Sequence, residues 1–186
     1  MSQRSIRAHR LAIALALAYS GASPATDPSH GDLGALAAAL FATVPPGELS
    51  QTDRREIAAL TPLALRDGIV ESSLPGCETA THPEVKLEDL NGDGVSEVFV
   101  VAGNSCTSGM TGCSIWLFAR RIDGRWSRRL DVAAAAYRVL PTTSLGWRNL
   151  SVGGRGLCQG VWRVAANGEY RYARSIRPDG TPCPSQ

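Results

Sequence analysis

The sequence has little of what marks a membrane-spanning or a nucleic-acid-binding protein. Its N-terminal apolar run, from Leu11 to Tyr19, is about half of the roughly 20 residues that a transmembrane helix needs. The formal net charge is only +2 over 186 residues. A chain so close to neutral lacks the basic surface that nucleic-acid binding requires. We therefore expect no membrane span and no nucleic-acid partner.

The sequence also lacks the patterns of common catalytic sites. It has no Gly-x-Ser-x-Gly element, no phosphate loop, no dinucleotide fingerprint and no Cys-x-x-Cys pair for zinc or iron-sulfur clusters. Histidine is scarce, and beyond the first 22 residues only His30 and His82 could assist a nucleophile. Carboxylate pairs such as Glu84 with Glu88 are ordinary on a solvated surface. We therefore expect that the protein is not an enzyme.

The first residues are arranged like a secretory signal peptide. Arg4, Arg7 and Arg10 precede the apolar run, and small residues follow it. This order predicts a signal peptide over residues 1–22 and a periplasmic mature protein. Removing three arginines and no acid takes the formal charge from +2 to −1.

All five cysteines lie in the part expected to be exported, where disulfides persist. Two bridges and one free thiol are the expected outcome. We expect Cys106 to pair with Cys113, because they flank a short glycine-containing segment that could bring two strand ends together. Cys158 would then pair with Cys183 or with Cys77, and the sequence leaves that choice open.

A linker and a helical segment follow the predicted signal peptide. Residues 23–32 are rich in Pro, Ser, Thr and Gly, which is typical of a linker. In residues 33–75, Asp32 can cap a first helix and Ser50 or Thr52 a second. We therefore expect a helical N-terminal extension over residues 33–75.

From residue 76 onwards the hydrophobic period changes from helical to two, which predicts a β-domain over residues 76–186. Asp123-Gly124 and Asn167-Gly168 separate alternating segments and are strong hairpin signals. The predicted strands are residues 96–102, 114–121, 126–132, 147–152, 157–165 and 169–174. The expected fold class is mainly β: an antiparallel meander, barrel or propeller-blade-like sheet with one or two short N-terminal helices.

The segment from Asp89 to Glu97 has the pattern of a calcium loop. Side-chain oxygens stand at positions 1, 3, 5 and 9, on Asp89, Asn91, Asp93 and Glu97, and position 6 is glycine. Calcium takes six to eight oxygen ligands, and Val95 can add its backbone carbonyl. Position 12 falls in an apolar strand, so the loop is not an EF-hand. The alternative is a polar turn whose acids bond backbone groups. We expect Ca²⁺ in a structural role.

With Val98, Phe99 and Val100 behind it, this segment resembles the calcium loops of FG-GAP and VCBS-type β-propeller repeats. The resemblance covers about one repeat. It implies that the calcium ligands are Asp89, Asn91, Asp93, Val95 and Glu97.

A wider resemblance runs from Cys77 to Tyr172, in the order of calcium loop, Cys106 segment, Trp116 strand, Asp-Gly hairpin, glycine-rich turn and Asn-Gly hairpin. This order is similar to that of small periplasmic proteins of Xanthomonas-like bacteria. Some of these are immunity proteins that inhibit peptidoglycan hydrolases, with a fold similar to the invertebrate-type lysozyme inhibitors. The resemblance implies a periplasmic inhibitor of a lysozyme-like hydrolase.

This sequence departs from the inhibitor pattern at one point. The Ser-Gly-x-x-Tyr loop of some lysozyme inhibitors is absent, because Ser108-Gly109 is followed by Met110-Thr111-Gly112. Our candidates for binding a partner are Tyr137, Trp147 and Arg155, which lie in or beside predicted loops. The alternative function is a stand-alone calcium-stabilised module of the envelope, with a structural or adhesive role.

Overall fold

The computed structural model describes residues 32–154 and 158–184. The predicted signal peptide and all but the last residue of the predicted linker lie outside the described residues. The helices are α1 (Leu33–Leu40), α2 (Gln51–Leu60) and the single turn α3 (Ser105–Ser108). The strands are β1 (Leu63–Arg66), β2 (Ile69–Ser72), β3 (Glu84–Glu88), β4 (Glu97–Ala102), β5 (Ser114–Arg120), β6 (Trp126–Ala133), β7 (Ala136–Ser144), β8 (Trp147–Gly153), β9 (Gln159–Val164) and β10 (Tyr170–Ile176).

The strands form three antiparallel sheets in which sequence neighbours pair. The hairpin β1–β2 stands alone, β3 to β6 form the central sheet, and β7 to β10 form the C-terminal sheet. The mainly-β expectation with few short helices is confirmed, and the described strands take the meander alternative. Antiparallel neighbours need only short connections, and this is why the two turn dipeptides identify the β5–β6 and β9–β10 hairpins.

The central sheet is buried on both faces. Along β4, Val98 and Val100 pack against the helices and the β1–β2 hairpin, whereas Phe99 packs against the C-terminal sheet. Side chains alternate between the two faces of a strand, so one apolar run serves two cores. In β5 the residues from Ile115 to Ala119 are all buried. The result is a layered molecule with helices on one side of the central sheet and the second sheet on the other.

Both helices begin where the sequence predicts. Asp32 Oδ1 accepts from the Gly34 N–H at 2.8 Å. Ser50 Oγ accepts from the Asp53 N–H at 3.1 Å while Asp53 Oδ2 accepts from the Ser50 N–H at 3.2 Å. This reciprocal pair of bonds is a capping box, which stabilises the first turn of α2.

Asp53 also fastens α2 to the central sheet. Its Oδ1 accepts from Trp126 Nε1 at 2.9 Å and forms an ion pair with Arg120 Nη2 at 2.6 Å. Burial by itself raises the pKa of Asp53, but the hydrogen bonds from Trp126 and Ser50 and the charge of Arg120 outweigh it, so the pKa lies below its usual value. The ionised carboxylate therefore contributes to holding helix and sheet together.

The structure corrects the sequence analysis in three places. Residues 63–72, expected within a helical extension, form the hairpin β1–β2, and Asp67-Gly68 occupy its turn with positive φ. The helical residues also share one core with the central sheet. Two strands besides β1 and β2 were missed. The sequence of β3 is largely charged because only every second residue is apolar, and β7 contains Pro141 and has no hairpin dipeptide before it.

Candidate functional site

The loop from Asp89 to Glu97 joins β3 to β4 at one end of the central sheet. Gly92 and Gly94 have φ of 75° and 82°, a left-handed conformation that glycine adopts without strain and that folds the loop back on itself. Leu90 is 1% exposed and anchors the loop in the core between the two sheets. The Arg148 N–H donates to the Leu90 carbonyl at 2.7 Å, so the C-terminal sheet also holds the loop.

Carboxylate and amide side chains turn into this loop and bond its backbone. Asp89 Oδ1 accepts from the Gly92 N–H at 2.7 Å, and its Oδ2 accepts from the Gly94 N–H at 3.1 Å. Asp93 Oδ1 accepts from the Val95 N–H at 2.7 Å, and Asn91 Nδ2 donates to Asp93 Oδ2 at 2.9 Å. The N–H groups that Asp89 accepts from, that of Gly92 above all, hold the pKa of Asp89 below its usual value. The side chains of Asp89, Asn91 and Asp93 are thus bonded within their own loop.

Glu97 closes the loop from the buried side. The residue is 3% exposed, and its Oε2 accepts from the Leu90 N–H at 2.7 Å. Burial, together with the charges of Asp93 and Asp89, raises the pKa of Glu97 to about 7 against that hydrogen bond. In the described part of the chain, none of these three carboxylates lies within ion-pair distance of a basic side chain. The loop therefore concentrates negative charge without a counter-ion.

The oxygen atoms of this loop are of the type that calcium prefers, although their side chains already form hydrogen bonds within the loop. Within the described residues, no three His, Cys, Asp or Glu side chains form a ready metal-binding group. Asp89 and Asp93 instead face N–H groups of the loop. A carboxylate offers about four acceptor positions, so these bonds leave lone pairs for an ion. Asp89, Asn91, Asp93, Glu97 and the Val95 carbonyl are the groups that would hold it, and calcium would add charge neutralisation and cross-linking of the loop.

The two disulfides are Cys77–Cys106 and Cys158–Cys183, and Cys113 is free. The expected bridge between Cys106 and Cys113 is wrong. Residues 105–111 coil into α3 and a 3₁₀ turn instead of bringing two strand ends together, and Cys106 faces the segment before β3. For Cys158 the structure selects Cys183 over Cys77.

The segment from Gly103 to Gly112 is a rigid surface loop. Besides the Cys77–Cys106 bridge, Asn104 Nδ2 donates to Thr79 Oγ1 at 2.5 Å and the Gly103 N–H donates to Thr81 Oγ1 at 3.1 Å. At its tip the Met110 side chain is fully exposed. The loop therefore presents an apolar side chain on a backbone that is already fixed.

The three candidates for binding a partner lie in different surroundings. Tyr137 belongs to β7, not to a loop, and its ring stacks on Phe99 with centroids 4.0 Å apart. Burial raises the pKa of Tyr137, and its hydroxyl has no hydrogen-bond partner in the described residues. Trp147 opens β8 and packs against the core between the sheets. Arg155 lies outside the described residues.

Sequence reasoning missed four residues of these two loops and their supports. Arg148 holds the calcium-type loop from the C-terminal sheet and Leu90 anchors it in the core, whereas Asn104 ties the loop from Gly103 to Gly112 to Thr79 and Met110 is exposed at its tip. The sequence did contain a signal for Met110, because an apolar residue in a short segment between Gly109 and Gly112 is not part of a predicted core strand. For Arg148 there was none, because its contact with the loop depends on how the two sheets pack.

No helix among the described residues has the length and apolar content to cross a membrane. Comparison with protein families, with characterised proteins and with solved structures yields no match.

Proposed function

We propose that this protein binds one calcium ion in the loop from Asp89 to Glu97 and that the ion stabilises the entry into the central sheet. The observation that carries this is the buried Glu97 carboxylate, which accepts from the Leu90 N–H of the loop that also carries Asp89 and Asp93, with no basic side chain within ion-pair distance of the three in the described residues. A buried charge is costly unless it is paired, and a divalent cation would pair it.

Calorimetric titration of the chelator-stripped protein with calcium chloride tests this first proposal. One ion per chain is the expected stoichiometry, with magnesium much weaker because it demands a smaller octahedral site. Absence of binding heat together with an unchanged melting temperature would contradict it.

The function that we propose on this scaffold is a periplasmic, non-catalytic immunity protein that blocks a peptidoglycan hydrolase of the lysozyme type. The resemblance of the segment order from Cys77 to Tyr172 to such inhibitors supports it. So does the rigid loop from Gly103 to Gly112, because a loop fixed by a disulfide loses little conformational entropy on binding. Two disulfides also suit an oxidising compartment.

Met110 is the residue through which we test this function. Met110→Ala should weaken the complex with a sensitive hydrolase about tenfold or more if Met110 enters a pocket of the partner. Ile122→Ala is the matched control, because Ile122 is an equally exposed apolar residue at the tip of the β5–β6 hairpin. It should leave inhibition unchanged.

The assay follows the turbidity of peptidoglycan with hydrolases from the same and from rival bacteria, at equimolar protein. If no hydrolase is slowed and none is retained on the immobilised protein, the second candidate function stands in its place. That candidate is a calcium-stabilised structural or adhesive module of the envelope, and the calcium-loop geometry supports it independently of any hydrolase.

A further inference from the structure

A cleft of about 360 Å³ lies where the central and C-terminal sheets meet. One wall is formed by residues 128–131 of β6. The other is formed by Trp162 of β9, by Glu169 before β10 and by the first two residues of β10. We call it the inter-sheet cleft. Its size falls in the range of small-molecule sites, which begins near 300 Å³.

A β-bulge places Arg129 in this cleft. Leu130 pairs with Leu117 and Arg128 pairs with Phe118, so Arg129 has no partner residue on β5. A bulge of this kind bends the strand and re-aims the extra side chain. Arg129 Nη1 donates to the carbonyl of Gly168 at 3.3 Å, which connects the central sheet to the β9–β10 turn.

Gly168 leaves the space that the guanidinium occupies. A Cβ atom at Gly168 would collide with Arg129 Nη1, and the φ of +80° there also favours glycine. Gly168, which allows the Asn-Gly hairpin turn, therefore also leaves room for the Arg129 guanidinium.

The rest of the Arg129 guanidinium has no partner. Its Nε is buried without a hydrogen bond, and no carboxylate of the described residues lies within ion-pair distance. The two acids of the cleft are engaged elsewhere: Asp131 with Arg128 at 3.0 Å and with Trp116 Nε1 at 3.0 Å, and Glu169 with Arg171. The cleft residues therefore carry three positive and two negative charges.

We propose that the inter-sheet cleft binds a small organic anion, a carboxylate or a phosphate monoester carried on a ring. The Nη2 group of Arg129, which has no hydrogen-bond partner among the described residues, is the group that donates to an oxygen of such an anion. The half-buried indole of Trp162 lines the same cleft and offers the ring an apolar contact. An anion there supplies the charge that the half-buried guanidinium lacks.

Four compounds of similar shape test whether binding depends on negative charge. Benzoate and phenyl phosphate are the anions, and benzamide and benzyl alcohol are their neutral counterparts. Binding to the purified protein is measured by calorimetry and by amide NMR. We expect at least one anion to bind with a Kd of about 1 mM or tighter and the neutral compounds to bind at least about tenfold more weakly. Binding of benzoate alone would assign the site to carboxylates, binding of phenyl phosphate alone to phosphates, and binding of both to either kind of anion.

Arg129→Gln should weaken binding of the anion about tenfold or more because it removes the charge, and Arg129→Lys should weaken it by a similar factor because lysine keeps the charge but lacks the planar guanidinium. Arg125→Gln is the matched control, since Arg125 is an exposed arginine immediately before the same strand and outside the cleft. Wild-type affinity in a folded Arg129→Gln variant, or no anion binding up to about 10 mM, overturns the proposal.

A measurement on the unmodified protein covers the case in which the Arg129 variants do not fold. The largest shifts on adding the anion should be at the Trp162 indole N–H and at the Gly168 amide. If the largest shifts lie away from these two groups, the anion binds elsewhere and the proposal fails.

Discussion

One substitution in the calcium loop should change the stability of the protein differently in calcium and in chelator. Asp93→Asn removes one negative charge from the group formed with Asp89 and Glu97 but keeps an oxygen that can accept from the Val95 N–H. In chelator, the variant should be as stable as wild type or slightly more stable, because the Asp93 charge opposes ionisation of Glu97. In calcium, the variant should be less stable than wild type, because a ligand charge is lost.

The expected size follows from mass action. Extracellular calcium modules bind with a Kd of about 0.1 to 1 mM. At about 10 mM calcium and a Kd of about 0.1 mM, the ion adds about 2.7 kcal/mol to the free energy of unfolding. For a domain of this length, that corresponds to a rise in Tm of about 5 to 10 °C in the wild type. Asp93→Asn should lose most of this rise.

Differential scanning fluorimetry in calcium and in chelator measures the effect. Asp123→Asn is the matched control, because Asp123 also precedes a glycine in a turn and accepts from the N–H two residues on, at 3.1 Å. It should shift both melting temperatures equally. Equal melting of the wild type with and without calcium would refute the reasoning, and an Asp123→Asn variant that also lost the calcium response would show that turn geometry, not the ion, is responsible.

Three further predictions concern stability. Asp53→Asn should lower the free energy of unfolding by about 1 to 3 kcal/mol near neutral pH. Because the folded pKa of Asp53 is depressed, its contribution is present above the unfolded pKa and is lost as pH falls through the folded value, so urea titrations of variant and wild type should converge in acid. Cys106→Ser should cost about 2 to 4 kcal/mol, whereas Cys113→Ser, at the free cysteine, should cost far less. Phe99→Ala should cost about 3 to 5 kcal/mol, since the ring is fully buried against Tyr137, and a loss below about 1 kcal/mol in denaturant unfolding would contradict that packing.

Short sequence patterns predicted the structure correctly where the interactions that determine it join residues close together in the chain. Ser50 and Asp53 cap a helix with atoms three residues apart, and Asp123-Gly124 turns a hairpin because its residues adopt the required dihedrals. The β4 run was recognisable as a strand because it is continuous and β-branched. Where the signal was weak, as in the alternating β3 or the proline-containing β7, pairing with a neighbouring strand decided the structure.

Contacts between distant residues were decided by the tertiary structure. The sequence by itself determined the mainly-β antiparallel class, the two helix starts and the loop oxygens of Asp89, Asn91 and Asp93, because each depends on spacing within a few residues. The partner of Cys106 depends on how the segment between β2 and β3 lies against α3, whereas the burial of Tyr137 and the position of Arg129 in a cleft depend on which faces of two sheets meet. A strand's alternation shows that its two faces differ, but only packing shows what covers each face.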